Sequence, residues 1–84
     1  MARAQKSPKS LRSAGHRALC ALLVEARLKA RLTQTEIARS LGRPQSYVAK
    51  YEGGERRLDV VEFLAVCDAI GVDPLRIIRA LRRD

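Results

Sequence analysis

The sequence has 84 residues, enough for one small domain and too few for two. Its 17 Lys and Arg against 9 Asp and Glu give a net charge of +8, which favours a polyanionic partner, nucleic acid ahead of an anionic membrane surface. Two cysteines without a CxxC spacing and a lone His16 offer no zinc site, and no apolar run reaches membrane-spanning length or resembles a signal peptide after Met1. The expectation is a cytoplasmic protein with no cofactor, no metal and no membrane association, in which Cys20 and Cys67 are small buried thiols.

In chain order, residues 1–15 carry Arg3, Lys6, Lys9 and Arg12 among Ser, Ala, Gln and Pro8, with no periodicity. They read as a basic, flexible arm, which either follows DNA phosphates or enters a minor groove, or else is a solvated tail. The folded domain is expected over residues 16–84. Leu19, Leu22, Leu23 and Ala26 recur at helical spacing from His16 to about Ala30, with Glu25 and Lys29 as an i,i+4 pair. Thr33-Gln34-Thr35-Glu36 is a capping-box pattern that opens a second helix, with Ile37, Ala38 and Leu41 inward and Gly42 as its stop. Arg43-Pro44 makes the turn into a third helix, Gln45 to Glu52, which buries Val48 and Tyr51 and ends at Gly53-Gly54.

Asp59 then caps a fourth helix, with Glu62 reaching back and Leu58 stapling onto Phe63. This helix continues through Leu64, Val66, Cys67 and Ile70 to Gly71. Asp73-Pro74 opens a fifth, with Leu75, Ile78 and Leu81 on one face. No strand pattern appears, so the expected class is all-α with five short helices.

Two short helices joined by a tight Gly-containing turn form the helix-turn-helix pattern. Ala38 is small enough for the two helices to cross closely, and Val48 and Tyr51 lock the third onto the second. Burying those two residues turns Gln45, Ser46, Ala49 and Lys50 outward. Gln suits a bidentate contact to adenine, Lys suits guanine acceptors or a phosphate, and Ala49 a thymine methyl. No acid lies between Arg43 and Tyr51. Tyr47 and Tyr51, four apart, read as a packing pair before a stacking platform for single strands. Glu52 ends a helix, where the macrodipole disfavours an acid, so either a cation compensates it or water does.

The run TQTEIARSLGRPQSYVAKYE, residues 33–52, followed by GGERRLDVVEFLAVCDAIGVDP, resembles the phage repressor/Cro helix-turn-helix family, also called XRE. The resemblance covers about Leu19 to Leu81 and implies a five-helix lambda-repressor-like DNA-binding domain. It implies base contacts from Gln45, Ser46 and Lys50, and phosphate contacts from Gln34, Arg43, Tyr47, Arg56 and Arg57. It also implies a pairing of Arg27 with Glu52. Two departures stand out: Arg31 occupies the end of the first helix, where the family has Gly, and Pro44 replaces the usual Ser or Thr cap.

The reading is a sequence-specific regulator of transcription that binds double-stranded DNA, a repressor acting as a homodimer on an inverted repeat. Leu75, Ile77, Ile78 and Leu81 are its candidate pairing surface, unless they only cap the core. The alternative is an antitoxin-like module whose main role is to bind a partner protein; a short controller contacting RNA polymerase would share the same sequence features. An enzyme is the weakest reading, since the chain has no clustered carboxylates and no Gly-rich phosphate loop.

Overall fold

The computed structural model describes residues 13–83. Most of the expected arm, residues 1–12, lies outside them, and residues 13–15 belong to the cap and first turn of a helix. Five helices are present and no strand is found among the described residues: α1 Ala14–Lys29, α2 Gln34–Leu41, α3 Gln45–Glu52, α4 Val60–Ile70 and α5 Pro74–Arg83.

Local chemistry sets their boundaries. The Ser13 hydroxyl accepts from the His16 amide at 3.0 Å and starts α1 two residues before the expected His16. Both capping boxes form in full. The Glu36 amide donates to Thr33 Oγ1 at 3.0 Å while the Thr33 amide donates to Glu36 Oε1 at 2.8 Å. At α4 the Glu62 amide donates to Asp59 Oδ1 at 2.7 Å and the Asp59 amide to Glu62 Oε1 at 2.9 Å. Gly42 (φ +68°) and Gly71 (φ +88°) close α2 and α4 in the left-handed region, where a side chain would be strained. Pro74 takes the first position of α5, and Asp73 Oδ1 accepts from the Leu75 amide at 2.9 Å.

The two departures behave differently. Pro44 caps α3 with extended backbone (φ −68°, ψ 156°) and no side-chain hydrogen bond, so the helix starts without a hydroxyl acceptor. Arg31 has φ +61°, the one non-glycine residue at positive φ among the described residues. The turn keeps its tight form, with the Arg31 amide donating to the Leu28 carbonyl at 3.0 Å and the Leu32 amide to the Arg27 carbonyl at 3.2 Å. The side chain is therefore held in a backbone conformation that glycine would adopt more cheaply.

The core is built from Leu23 of α1, Ile37 and Ala38 of α2, Val48 and Tyr51 of α3, Phe63, Val66, Cys67 and Ile70 of α4, and Ile77 of α5. Leu58 packs against this cluster at the start of α4, where the staple places it. Both cysteines are free and buried. Burial raises both thiols above their ordinary pKa, Cys67 to about 11, so they stay protonated at neutral pH. Cys20 Sγ donates to the Tyr51 carbonyl at 3.2 Å and lies 3.7 Å from the buried His16 ring nitrogen, so α1 grips the last turn of α3.

One expectation for α5 changes. Ile77 is 5% exposed and belongs to the domain's own core, whereas Leu75 and Ile78 are 54% and 42% exposed and Leu81 is half-buried. Replacing Arg31 with Gly is expected to stabilise the domain by about 0.5–1 kcal/mol, partly offset by the freer unfolded chain. For a domain this small that is a rise of several degrees in Tm, read in a thermal melt.

Candidate nucleic-acid interface

The third helix works by dividing its faces. Val48 and Tyr51 are fully buried, and Gln45, Ser46 and Lys50 are exposed on the other side, as helical spacing requires. Ala49, expected outward, is half-buried. An eight-residue helix is too short to hold itself in water, so its orientation must come from its neighbours.

At its C-terminal end Glu52 supplies the anchor. Arg27 of α1 donates through Nε to Glu52 Oε2 at 2.7 Å and through Nη2 to Oε1 at 3.1 Å, a two-pronged pairing of nearly buried side chains, 12% and 6% exposed. The third guanidinium nitrogen donates to the Leu32 carbonyl at 2.8 Å and ties down the α1–α2 turn. The hydrogen bond to Glu52 holds the Arg27 guanidinium above its already high ordinary pKa. The compensating cation is thus present, and it offsets the unfavourable placement of an acid at a helix C-terminus.

Gln34 extends the network. Its Nε2 donates to Glu52 Oε1 at 2.8 Å, and its Oε1 accepts from Gln45 Nε2 at 2.6 Å. The first residue of α2 therefore bridges the last and first residues of α3. One amide hydrogen of Gln45 is thereby committed, while its carbonyl and second N–H remain available.

Tyr47, expected at a phosphate, is only 8% exposed. Its ring packs edge-on against Tyr51, with centroids 5.9 Å apart and planes at 77°, the packing pair foreseen from the spacing. The Arg43 guanidinium lies 4.6 Å from the Tyr47 centroid and that of Arg56 lies 4.7 Å away. Arg56 also pairs with Glu62, whose carboxyl falls below its ordinary pKa because of the Arg56 hydrogen bonds and the Asp59 amide. Arg57 is exposed. Arg43, Ser46, Tyr47, Lys50, Glu55 and Arg56 together line one shallow open recess beside α3.

Of the residues expected at the site, Gln34 and Gln45 are hydrogen-bonded at the start of α3, and Arg43, Ser46 and Lys50 line the recess along it. The Gln34–Gln45 bond, the Arg56–Glu62 pair and the stacking of both arginines on Tyr47 carry no signal in the sequence. Among the described residues no three His, Cys, Asp or Glu side chains are grouped to hold a metal ion, and no helix is long and apolar enough to cross a membrane.

A five-helix domain whose second and third helices cross through a glycine turn, with a polar outer face on the third, is a helix-turn-helix domain. The helix-turn-helix domain family matches residues 18–83. An XRE-family like protein from Pseudomonas syringae pv. tomato str. DC3000 is 49% identical, with a TM-score of 0.82 over 89% of this chain and 92% of that one. The restriction-modification controller protein C.AhdI from Aeromonas hydrophila is 28% identical, with a TM-score of 0.71 over 77% of this chain and 98% of that one. The controller protein C.Esp1396I, solved as a tetramer with its natural 35 base-pair operator, shares the fold at 17% identity, with a TM-score of 0.76 over 84% of this chain and 93% of that one. No protein of curated function matches the chain. The chain belongs to the XRE family of helix-turn-helix proteins and has the fold of its DNA-binding regulators.

Replacing Arg27 with Met leaves Glu52 nearly buried without its cation and is expected to cost about 3 kcal/mol or more. The double variant Arg27→Met, Glu52→Met should recover part of that loss. Denaturant titration of the wild type, both single variants and the double variant checks this.

Proposed function

We propose that the chain is a sequence-specific double-stranded DNA-binding regulator of transcription, a repressor acting as a homodimer on an inverted repeat in the cytoplasm. The observation that carries this reading is the exposed trio Gln45, Ser46 and Lys50 on one face of a helix clamped at both ends, with Arg43 beside it and Arg57 exposed in the loop that follows. Gln45 and Lys50 supply the donors and acceptors that distinguish base pairs in a major groove, and Ser46 can bond to either kind of edge. Gln34, Arg43 and Arg57 set the register on the phosphates. The operator complex of the structurally similar C.Esp1396I supports the reading.

Pairing of two copies doubles the phosphate contacts and sets two recognition helices about one turn of DNA apart. With Ile77 in the core, Leu75, Ile78 and Leu81 remain as the α5 pairing surface. Val60, Val61 and Leu64 of α4 are exposed as well, and offer a second apolar face to a partner copy.

Selection of bound sites from random duplex DNA is the direct test, and a two-fold symmetric site is the expected product. Gln45→Ala or Lys50→Ala should then weaken that site by about 1–3 kcal/mol while sparing random DNA. Equal losses on both would remove these residues from base reading. Ile78→Asp should shift sedimentation from dimer toward monomer, and an unchanged profile would move the interface to the α4 face.

A further inference from the structure

Arg56 sits in the loop after α3, at the edge of the recess that the recognition side chains line. Its charge and place suggest a phosphate ligand, but its guanidinium is already engaged. Nη2 donates to Glu62 Oε2 at 2.8 Å, and Nη1 donates to Glu62 Oε1 at 3.2 Å and to the Arg57 carbonyl at 2.7 Å. A fork set on a carboxylate is the arrangement that a phosphate would demand, so this edge cannot serve both. Glu62 itself is held in place, because Asp59 exchanges two backbone-to-side-chain hydrogen bonds with it in the α4 capping box.

Arg43 differs. Its guanidinium makes no ion pair or hydrogen bond among the described residues, and it rests 4.6 Å from the centre of the Tyr47 ring that Arg56 also stacks upon. Tyr47 belongs to the first turn of α3, between Ser46 and the buried Val48. The chain of contacts runs from the fixed start of α4 through Glu62 and Arg56 to the Tyr47 ring and then to Arg43.

We infer that Arg56 is a positioning residue and not a phosphate ligand: anchored by Glu62, it holds the Tyr47 ring that seats Arg43 and the first turn of α3. The inference rests on the DNA-binding reading above. With Arg56 neutralised by Glu62, Arg43 and Lys50 are the cations without an ion pair that line the recess beside α3, and Arg57 is exposed in the loop that follows.

Two conservative variants separate the roles. Glu62→Gln keeps an acceptor for the Asp59 amide, since Gln serves in a capping box, and removes the charge that engages Arg56. Arg56→Lys keeps the charge and loses the fork and the flat stacking face. If Arg56 positions Tyr47, both variants lose several-fold affinity for the selected site, with an unchanged slope of log K against log salt. The double variant is then no weaker than the worse single variant, because both act through one contact chain. If Arg56 instead binds a phosphate, Glu62→Gln releases it, tightens binding to specific and random DNA alike and steepens the slope by about one unit. Arg56→Lys then stays close to wild type.

Either of those last results, or additive losses in the double variant, overturns the inference. The Tyr47 ring resonances of the free protein give a readout that needs no DNA: both variants should shift them while the melting curve stays cooperative, and unmoved resonances also overturn the inference. Should the wild type bind no duplex at all, the DNA-binding reading fails, and the ring resonances still decide whether Arg56 holds Tyr47.

Discussion

Glu52 is where three helices are joined. The carboxylate closes α3 at the end where the helix dipole repels it, and it stays there because Arg27 of α1 and Gln34 of α2 both donate to it. Without this junction the last turn of the eight-residue α3 would rest on the packing of Val48 and Tyr51 and on the Cys20 thiol, with an acid left unpaired at its end. Arg27 reaches further, to the Leu32 carbonyl, so the same guanidinium that anchors the recognition helix also shapes the turn into α2. The Cys20 thiol on the Tyr51 carbonyl reinforces the join one residue earlier.

The start of α3 is secured by other means. Pro44 gives it no capping hydroxyl, and the work passes to side chains from elsewhere: Gln34 holds Gln45, and the Arg43, Tyr47 and Arg56 stack holds the first turn. The helix is thus fixed at one end by a nearly buried ion pair and at the other by an exposed amide pair and by arginines stacked on the Tyr47 ring. The first kind is screened little by salt, whereas the second lies at the surface. Rigid support and adaptable presentation are separated along about two turns of helix.

Much of this was legible in the chain because it is local. Thr33 with Glu36 and Asp59 with Glu62 sit three residues apart, and Gly42 and Gly71 stand where a left-handed residue ends a helix, so caps and boundaries follow from spacing. The start of α1 was placed late because a lone serine after a basic run is a weak signal. The site was less legible where it depends on distance. Gln34 and Gln45 are eleven positions apart and nothing in their spacing joins them. Arg56 read as one more loop cation because Glu62 was already assigned to its cap, yet the carboxylate serves both. The resemblance sets Tyr47 at a phosphate, and that its ring packs edge-on against Tyr51 between two arginines follows only from the tertiary fold. On α5 the apolar residues Leu75, Ile77, Ile78 and Leu81 cover more than one side of the helix, so periodicity alone did not say that Ile77 turns inward.

The Gln34–Gln45 bond bears on how such a protein diverges. On the proposed reading, a side chain at position 45 meets a base edge while it also holds the carbonyl of Gln34, so few residues can replace it without a matching change at position 34. Positions 46 and 50 carry no such internal obligation, being exposed and without a hydrogen-bonded partner side chain among the described residues. On the same reading, a change of target is accommodated more readily at Ser46 and Lys50, whereas a change at 34 calls for one at 45. One residue of the exposed face is thus bound into the scaffold, and its neighbours at 46 and 50 are free of it.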